Sequence, residues 1–334
     1  MNSVLVAGAS GYAGALAAEL TRRHPSLELA RVTARTDAGR RLNELYPRYE
    51  VDLVLEEPAA EDGSDIDAAI VAYPHGAAAP VVAALREQGV KVVDLSADFR
   101  LHDLETYSRW YGEHGAPRLV PEAVYGLTEV HREAIAGAEL VANPGCYPTA
   151  SVLALAPLAA DGLIEDVVID AKSGVSGAGR AVAEEMVVVK ESDDTRPYNV
   201  TAHRHTPEIA QELGELAGNG SMPTPTFVPH LMPYDQGELV SCYVRTSDSV
   251  DMARLLGLYE ERYGDEPFVE VSGEPPGVSG VRETNLCRIH LAQNEASGRV
   301  IVFASIDNLW KGAASQAIQN LNLMLGLPEG EGIS

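Results

Sequence analysis

Lysine is close to missing from this chain. Lys91, Lys172, Lys190 and Lys311 are all there is, and Lys and Arg together number 25 against 49 Asp and Glu. The formal charge of -24 is spread along the chain rather than gathered in a tail. Such a surface repels polyanions, which argues against nucleic acid and anionic membranes as partners. It also repels itself, and concentrated salt relieves that, since the screening length shrinks to about 3 Å at 1 M. A salt-rich, halophilic cytoplasm is the expected setting. Cysteine is scarce too: Cys146, Cys242 and Cys287 lie too far apart for a disulfide framework or a CxxC metal pair. No run approaches the ~18 apolar residues of a membrane span. The opening Met1-Asn2-Ser3-Val4 leads into a strand with no basic stretch or cleavage site, so no export signal is expected and a cytoplasmic location is.

What is present is an ordinary globular composition, 46% hydrophobic and 22% charged over 334 residues. That length suits two domains of the usual ~100–200 residues. The apolar run Ser3–Ala7 predicts a buried parallel strand, and Gly8-Ala9-Ser10-Gly11-Tyr12-Ala13-Gly14 follows it directly before a helical pattern through Arg23. Glycines three apart at a strand-to-helix junction permit a tight turn and close approach of backbone to a pyrophosphate, with the helix N-terminus supplying N–H donors. The spacing is a GxxGxxG variant of the dinucleotide fingerprint. Gly8, Ser10, Gly11, Tyr12 and Gly14 are therefore candidate cofactor contacts. The second strand, Leu27–Thr33, ends in Thr33-Ala34-Arg35-Thr36, with Asp37 just beyond. A cation there, in place of the acid that holds a 2′-hydroxyl, favours NADP. A solvated surface charge is the plain alternative for Arg35.

Further strands at Asp67–Ala72 and Val90–Leu95 alternate with a helix at Ala79–Gln88, which predicts a right-handed parallel α/β sheet of Rossmann type. Ligands gather at the carboxyl ends of such strands, where Tyr73–Gly76 and Ser96–Arg100 lie. His75 reads as structural or cofactor-adjacent. Ser96 and Arg100 are candidate substrate contacts, Arg100 as a bidentate grip on an anion, with an internal pair to Asp98 as its alternative. Residues 101–137 read as polar and loop-rich.

Asn143-Pro144-Gly145-Cys146-Tyr147-Pro148-Thr149 sits between an apolar strand, Ala138–Ala142, and an Ala/Leu-rich helix, Ala150–Ala160. A cysteine close to the positive end of a helix dipole is stabilised as thiolate, which suits a nucleophile. A small buried hydrophobe is the other reading. After a strand at Val167–Ala171 comes Lys172-Ser173-Gly174-Val175-Ser176-Gly177-Ala178-Gly179-Arg180, read as a loop packing on the cofactor through Ser173 and Gly174 rather than as a linker. His203-Arg204-His205-Thr206-Pro207 places Thr206 as N-cap and Pro207 as N1 of a helix to about Leu216. His205 then stands before a helix start whose field favours neutral imidazole, able to take a proton and return one. Two histidines flanking an arginine, without spaced cysteines, do not make a zinc site. Strands at Thr226–Pro229, Glu238–Thr246, Phe268–Val271, Leu286–Leu291 and Arg299–Ser305 predict a mixed second sheet. A last amphipathic helix, Ala313–Leu325, is expected to pack back on the first domain, and the tail Pro328–Ser334 to fray.

In ordered blocks along nearly its whole length, the chain resembles the N-acetyl-γ-glutamyl-phosphate reductases of the aspartate-semialdehyde dehydrogenase-like group. The blocks are GASGYAG (8–14), YPHG (73–76), DLSADFRL (94–101), YGLTE (125–129), NPGCYPT (143–149), KSGVSGAGR (172–180), HRHTPEI (203–209), PHL (229–231) and IDNLWKGAASQAIQNLNLMLG (306–326). The resemblance implies a Rossmann domain over 1–145, completed by 307–334, and an α+β catalytic and dimerisation domain over 146–306. It implies Cys146 as nucleophile, His205 as acid/base with His203 second, and Asn308 as a cofactor contact. It further implies NADPH-dependent reductive dephosphorylation of an acyl phosphate through a cysteine thioester, in a homodimer or homotetramer. Arg204 joins Ser96 and Arg100 as a candidate for the substrate's anionic ends. Two blocks depart from the pattern: Gln236 stands before Gly237 where the family has Arg, and Arg282-Glu283-Thr284-Asn285 replaces Gly-Ser-Asn. A sister branch takes glutamyl or aminoadipyl phosphate from a small acidic carrier protein, for which Arg180, Arg196 and Arg204 could form a basic rim. Aspartate-semialdehyde chemistry, and a non-catalytic NADP-binding regulatory protein, are the remaining alternatives.

Overall fold

The computed structural model describes residues 1–58, 63–180, 193–218 and 222–333. These fall into two compact units, Met1–Gly145 with Ala313–Ser334, and Cys146–Gly312. Residues 307–312 thus belong with the second unit, whereas the expected boundary gave them to the first.

The first unit is built on a six-stranded, wholly parallel sheet in the order β2-β1-β3-β4-β6-β5. Its strands are β1 (Asn2–Ala7), β2 (Leu27–Thr33), β3 (Ala68–Val71), β4 (Lys91–Asp94), β5 (Val124–Tyr125) and β6 (Leu140–Ala142). Most carry a short buried apolar stretch: Val4, Val6, Ala68–Val71, Val92, Val93 and Leu140–Ala142 are all solvent-free. Helix α1 (Tyr12–Arg23) joins β1 to β2, the short α2 (Leu42–Leu45) follows β2, and α3 (Ala79–Glu87) joins β3 to β4. The strand order reverses at β1, where β2 and β3 leave on opposite sides, and that is where ligands settle in open α/β sheets.

Two expectations change here. Residues 101–137 are not mainly loop: they hold α4 (Leu104–Tyr111) and α5 (Thr128–Ala136). Asp103 caps α4 by accepting from Glu105 and Thr106, a local signal that the many polar residues of the segment obscure. The tail is also docked rather than frayed. Glu329 pairs with Arg132 at 2.9 Å, the Asn322 amide donates to the carbonyls of Glu329 and Glu331, and Ile333 is buried. The last helix, Ser315–Met324, packs on α1, α5 and β4. Its Asn320 amide donates to Gly126 O at 2.8 Å and to Asn143 Oδ1 at 3.0 Å, and its oxygen accepts from Thr128. Buried amides satisfied this way fix the turn that follows β6.

The second unit carries a seven-stranded mixed sheet in the order β11-β12-β13-β10-β7-β9-β8. In chain order these are β7 (Ile164–Gly174), β8 (Arg196–Pro197), β9 (Thr226–Met232), β10 (Glu238–Thr246), β11 (Val269–Val271), β12 (Cys287–Gln293) and β13 (Val300–Ile306). Helix α6 (Cys146–Ala160) lies against β7, β10, β12 and β13. Every residue from Tyr147 to Ala159 is buried, the signature of a helix apolar on all sides and enclosed by its own unit. Two phenols pin it from outside: Tyr259 donates to Ala154 O at 2.5 Å and Tyr263 to Leu153 O at 2.6 Å. Its first turn, which holds Cys146, is therefore held rigidly.

Candidate active site

In the first unit the glycine turn has no room for a side chain at Gly8 or Gly14. Gly8 adopts φ +86°, and a Cβ there would lie 2.6 Å from Ala72 O; a Cβ on Gly14 would lie 2.4 Å from Gly8 O. Gly8 N–H and Ala9 N–H both donate to Thr33 O at 2.9 Å, which fastens the turn to the end of β2. No side chain caps α1 and no acid occupies its first turn, so its positive end stays available to an anion. Ser10 is buried and its carbonyl accepts from Tyr46 OH at 2.8 Å, while Tyr12 meets Tyr46 edge-on at 6.1 Å. The arrangement fits a dinucleotide pyrophosphate.

At the end of β2 the Thr33 hydroxyl lies 3.3 Å from Tyr73 OH, and the exposed Arg35 guanidinium lies over the Tyr73 ring at 5.1 Å. The acid that would compete with it, Asp37, is paired with Arg40 at 3.3 Å. Arg41 is likewise paired, with Asp52 at 2.8 Å. The exposed His75 ring accepts from Ala97 N–H through its Nδ1 at 2.9 Å.

Ser96 and Arg100, expected on the substrate, are 1% and 4% exposed. The Ser96 hydroxyl donates to Asp94 at 2.6 Å and accepts from Asp98 N–H at 3.0 Å. Arg100 donates through Nε to Asn143 O and through a terminal nitrogen to Leu95 O, both at 2.8 Å. The Asp98 carboxylate accepts from Gly76 N–H, Ala79 N–H and Tyr107 OH. These groups brace the loop after β4, and burial raises the Asp94 carboxyl to about 7. Serine and arginine beside a strand end read alike whether they grip a ligand or the backbone, so the sequence could not separate the two.

The second unit gathers the remaining candidates. Cys146 is the first residue of α6, four positions earlier than the helix was expected to start, and it is partly exposed. The backbone of 307–312 comes close against it: a Cβ on Gly312 would fall 2.8 Å from Cys146 Cβ. That segment is held by Asp307, which accepts from Leu309 N–H, Trp310 N–H, Glu283 N–H and the Gln236 amide. Gln236, where the family pattern has arginine, is thus spent on Asp307.

Tyr147 turns its ring edge-on to both imidazoles, at 5.6 Å from His203 and 5.9 Å from His205. The two imidazoles lie 4.8 Å apart. His205, not Thr206, occupies the cap position of the Thr206–Leu216 helix, a shift of one residue. His203 is buried among Tyr147, Tyr198 and Phe227, and its Nδ1 accepts from His205 N–H at 3.2 Å. Burial, with Arg204 nearby, lowers His203 to about 4, so it is neutral throughout the physiological range. Arg204 itself is exposed. The Tyr198 hydroxyl donates to Tyr147 OH at 3.4 Å, and burial drives both phenols well above their usual range.

Ser173 and Gly174 end β7. Gly174 and Val175 N–H donate to Gly237 O and Tyr234 O, so the segment is an ordered loop rather than a linker. The Asn308 amide donates to Ser176 at 2.9 Å and its oxygen accepts from Gly237 N–H at 2.7 Å. Both ends of that side chain hold contacts inside the unit, which fixes its orientation.

Sequence reading passed over Tyr147, Tyr198 and Glu238. Glu238 leads the series Glu238, Val240, Cys242, Val244 on the buried face of β10, and all four are solvent-free. A charge in phase with buried alternation was the available signal.

Residues 3–138 match the family model described as semialdehyde dehydrogenase, NAD binding domain, and residues 146–308 match semialdehyde dehydrogenase, dimerisation domain. Proteins named N-acetyl-gamma-glutamyl-phosphate reductase are similar along the whole chain. That from Dehalococcoides mccartyi is 46% identical, covering 97% of this chain and 95% of its own. That from Desulforudis audaxviator is 46% identical, covering 100% and 98%. Among solved structures, aspartate semialdehyde dehydrogenase II of Vibrio cholerae, complexed with ASA, aligns with TM-score 0.76 at 18% identity over 98% of both chains. The Candida albicans aspartate semialdehyde dehydrogenase with NADP aligns with TM-score 0.71 at 14% identity over 97% of this chain and 98% of its own. At these identities the two structures speak to the fold alone.

Proposed function

The chain belongs to the N-acetyl-gamma-glutamyl-phosphate reductase family of the semialdehyde dehydrogenases, and on that premise we propose that it reduces N-acetyl-γ-glutamyl phosphate to the semialdehyde, the arginine-biosynthetic reaction, with Cys146 as nucleophile and NADPH as reductant. The observation that carries this is a partly exposed cysteine at the first residue of a rigidly enclosed helix, in the same unit as an imidazole pair packed on the adjoining Tyr147.

The cysteine sulfur forms a thioester by displacing phosphate, because a thioester accepts hydride where a carboxylate does not. When bound, the dinucleotide supplies that hydride. His205 serves as acid/base toward the reacting oxygens, and neutral His203 orients it by accepting its backbone N–H. Exposed Arg204 is placed for an anionic end of the substrate. Comparing N-acetyl-glutamate semialdehyde, its carrier-linked glutamyl and aminoadipyl analogues and aspartate semialdehyde tests the assignment. Preference for the free acetylated compound supports it; preference for a carrier-linked one moves the enzyme to the sister branch, with the acidic carrier as partner.

The exposed Arg35 on Tyr73, with Asp37 engaged elsewhere, supports NADP over NAD. Arg35→Ala is expected to raise KM for NADPH about tenfold, roughly the 1.4 kcal/mol of one charge-assisted contact, and to leave KM for NADH unchanged. Steady-state assays with each cofactor check this, and equal effects on both would remove the 2′-phosphate contact.

A second copy of the chain is the expected partner. Val168, Tyr243 and Ile301 stand side by side on β7, β10 and β13, only partly covered by their own unit, and present an apolar row to another protomer. The acid excess supports a high-salt setting. The midpoint of thermal unfolding should rise as KCl goes from about 0.1 M to about 2 M, where screening removes self-repulsion. Calorimetry showing equal stability at both would end that proposal.

A further inference from the structure

Gln236 and the segment Arg282–Asn285 depart from the family pattern at separate places in the chain, and in the fold they meet on one carboxylate. Asp307 is fully buried. Its Oδ1 accepts from Leu309 N–H at 2.9 Å and Trp310 N–H at 3.1 Å. Its Oδ2 accepts from Glu283 N–H at 2.7 Å and from the Gln236 amide. Arg282 ties the two departing segments together by donating to Gln236 O at 3.0 Å. Glu283 itself stands at φ +57°, a left-handed conformation that glycine enters freely and glutamate only at a cost. Strain of this kind persists where the surroundings hold it, and here the Asp307 carboxylate takes the N–H that the strained residue presents.

Beyond Asp307 the backbone leaves α-helical spacing. Gly312 N–H donates to Asp307 O at 2.9 Å, an i→i+5 bond, and Trp310–Ala314 forms a π-helical turn, a wide form that is rare and clusters at functional sites. The turn lays Gly312 against the nucleophile. A Cβ there would fall 2.8 Å from Cys146 Cβ, 3.2 Å from its Cα and 3.3 Å from Asp307 O, so a side chain could enter only by moving the cysteine or the turn.

We propose that Asp307 is the positioning residue for Cys146, acting through the π-helical turn whose Gly312 backs the nucleophile, with Gln236 and Glu283 as its anchors. This deepens the reading of Cys146 as nucleophile and rests on it. Helix α6 fixes Cys146 from the side of the chain that follows it. The turn fixes it from across the unit, and the Asp307 carboxylate sets where that turn lies. Sulfur must meet the acyl carbon along a narrow line of attack, and a displacement of about 1 Å costs about a hundredfold in rate with every reacting group intact.

Two reactions of Cys146 separate position from reactivity: single-turnover acylation by the acyl phosphate, and alkylation by iodoacetamide, both mapped by mass spectrometry. Asp307→Asn keeps the size of the side chain but turns an amide toward N–H donors whichever way it points. It is expected to slow acylation about a hundredfold. Gly312→Ala, which presses on Cys146 directly, is expected to do the same. Alkylation should keep the wild-type rate in both, because a small reagent reaches a partly exposed thiol without a set line of approach. Cys242 and Cys287, fully buried, should stay unreacted and report an intact fold. Gln236→Leu should cost about tenfold, the scale of one hydrogen bond to a charged group, and Gln236→Arg, which again offers Asp307 an N–H, should recover it. Acylation at the wild-type rate in Asp307→Asn and Gly312→Ala overturns the proposal. So does a loss of acylation accompanied by alkylation of Cys242 and Cys287, which makes Asp307 a support of the fold alone. Absence of any acyl adduct on wild-type Cys146 instead overturns the nucleophile assignment beneath it.

Discussion

Cys146→Ala is expected to lower reductase turnover on the order of 10⁴-fold or more while leaving the fold and cofactor affinity intact. The magnitude follows from what is removed. Without sulfur there is no thioester, and hydride would have to reduce an acyl phosphate directly in a site built for a covalent intermediate. The fold should be indifferent, since Cys146 is partly exposed and the helix it begins is held further along by Tyr259 and Tyr263. Steady-state turnover and NADPH titration by fluorescence check the two halves separately. A variant that kept turnover would place the chain among non-covalent reductases, and one that lost NADPH binding as well would make the loss uninterpretable as chemistry.

The second large effect separates the two histidines. His205→Asn should cut kcat by about 10²–10⁴, the usual worth of a positioned acid/base, and remove the acidic limb of the rate–pH profile. His203→Asn should cost only about tenfold and keep that limb, because burial lowers His203 to about 4, outside the ordinary imidazole range. His203 acts by position: buried against Tyr147, Tyr198 and Phe227, it fixes the backbone of His205. Its folded value lies under the ordinary imidazole value, so the folded state resists protonation. Stability is therefore unaffected above about pH 6.5 and declines as pH falls through His203's lowered range. Equal losses in both variants, with the limb retained in each, would make the pair structural.

What could be read from the sequence was local. The GASGYAG turn needs only its own glycines and the backbones that close on Gly8 and Gly14, and β2 spans the expected Leu27–Thr33. The cysteine was legible for the same reason, standing between an apolar strand and a helix. What escaped was set by distant partners. Strand β7 runs from Ile164 to Gly174 rather than stopping at Ala171, because β10 and β9 offer ladder partners up to Ser173 and Gly174. Arg100 and Asn308 also hold groups brought from elsewhere in the chain, the Asn143 and Leu95 carbonyls for one and Gly237 N–H and the Ser176 hydroxyl for the other, which their own neighbourhoods do not announce. Glu238 gave the opposite error: it looked like the first polar residue of a strand, and only its place between Ser173 of β7 and Ile306 of β13 encloses it fully.

The most direct test of the covalent account is to mix wild-type enzyme with an excess of acyl phosphate in the absence of any nicotinamide cofactor, quench in acid, and weigh the protein. The account predicts a mass gain of one acyl group, located by peptide mapping on Cys146 and absent from Cys146→Ala. An unmodified protein under conditions that support full turnover, or an adduct on any other residue, would contradict it.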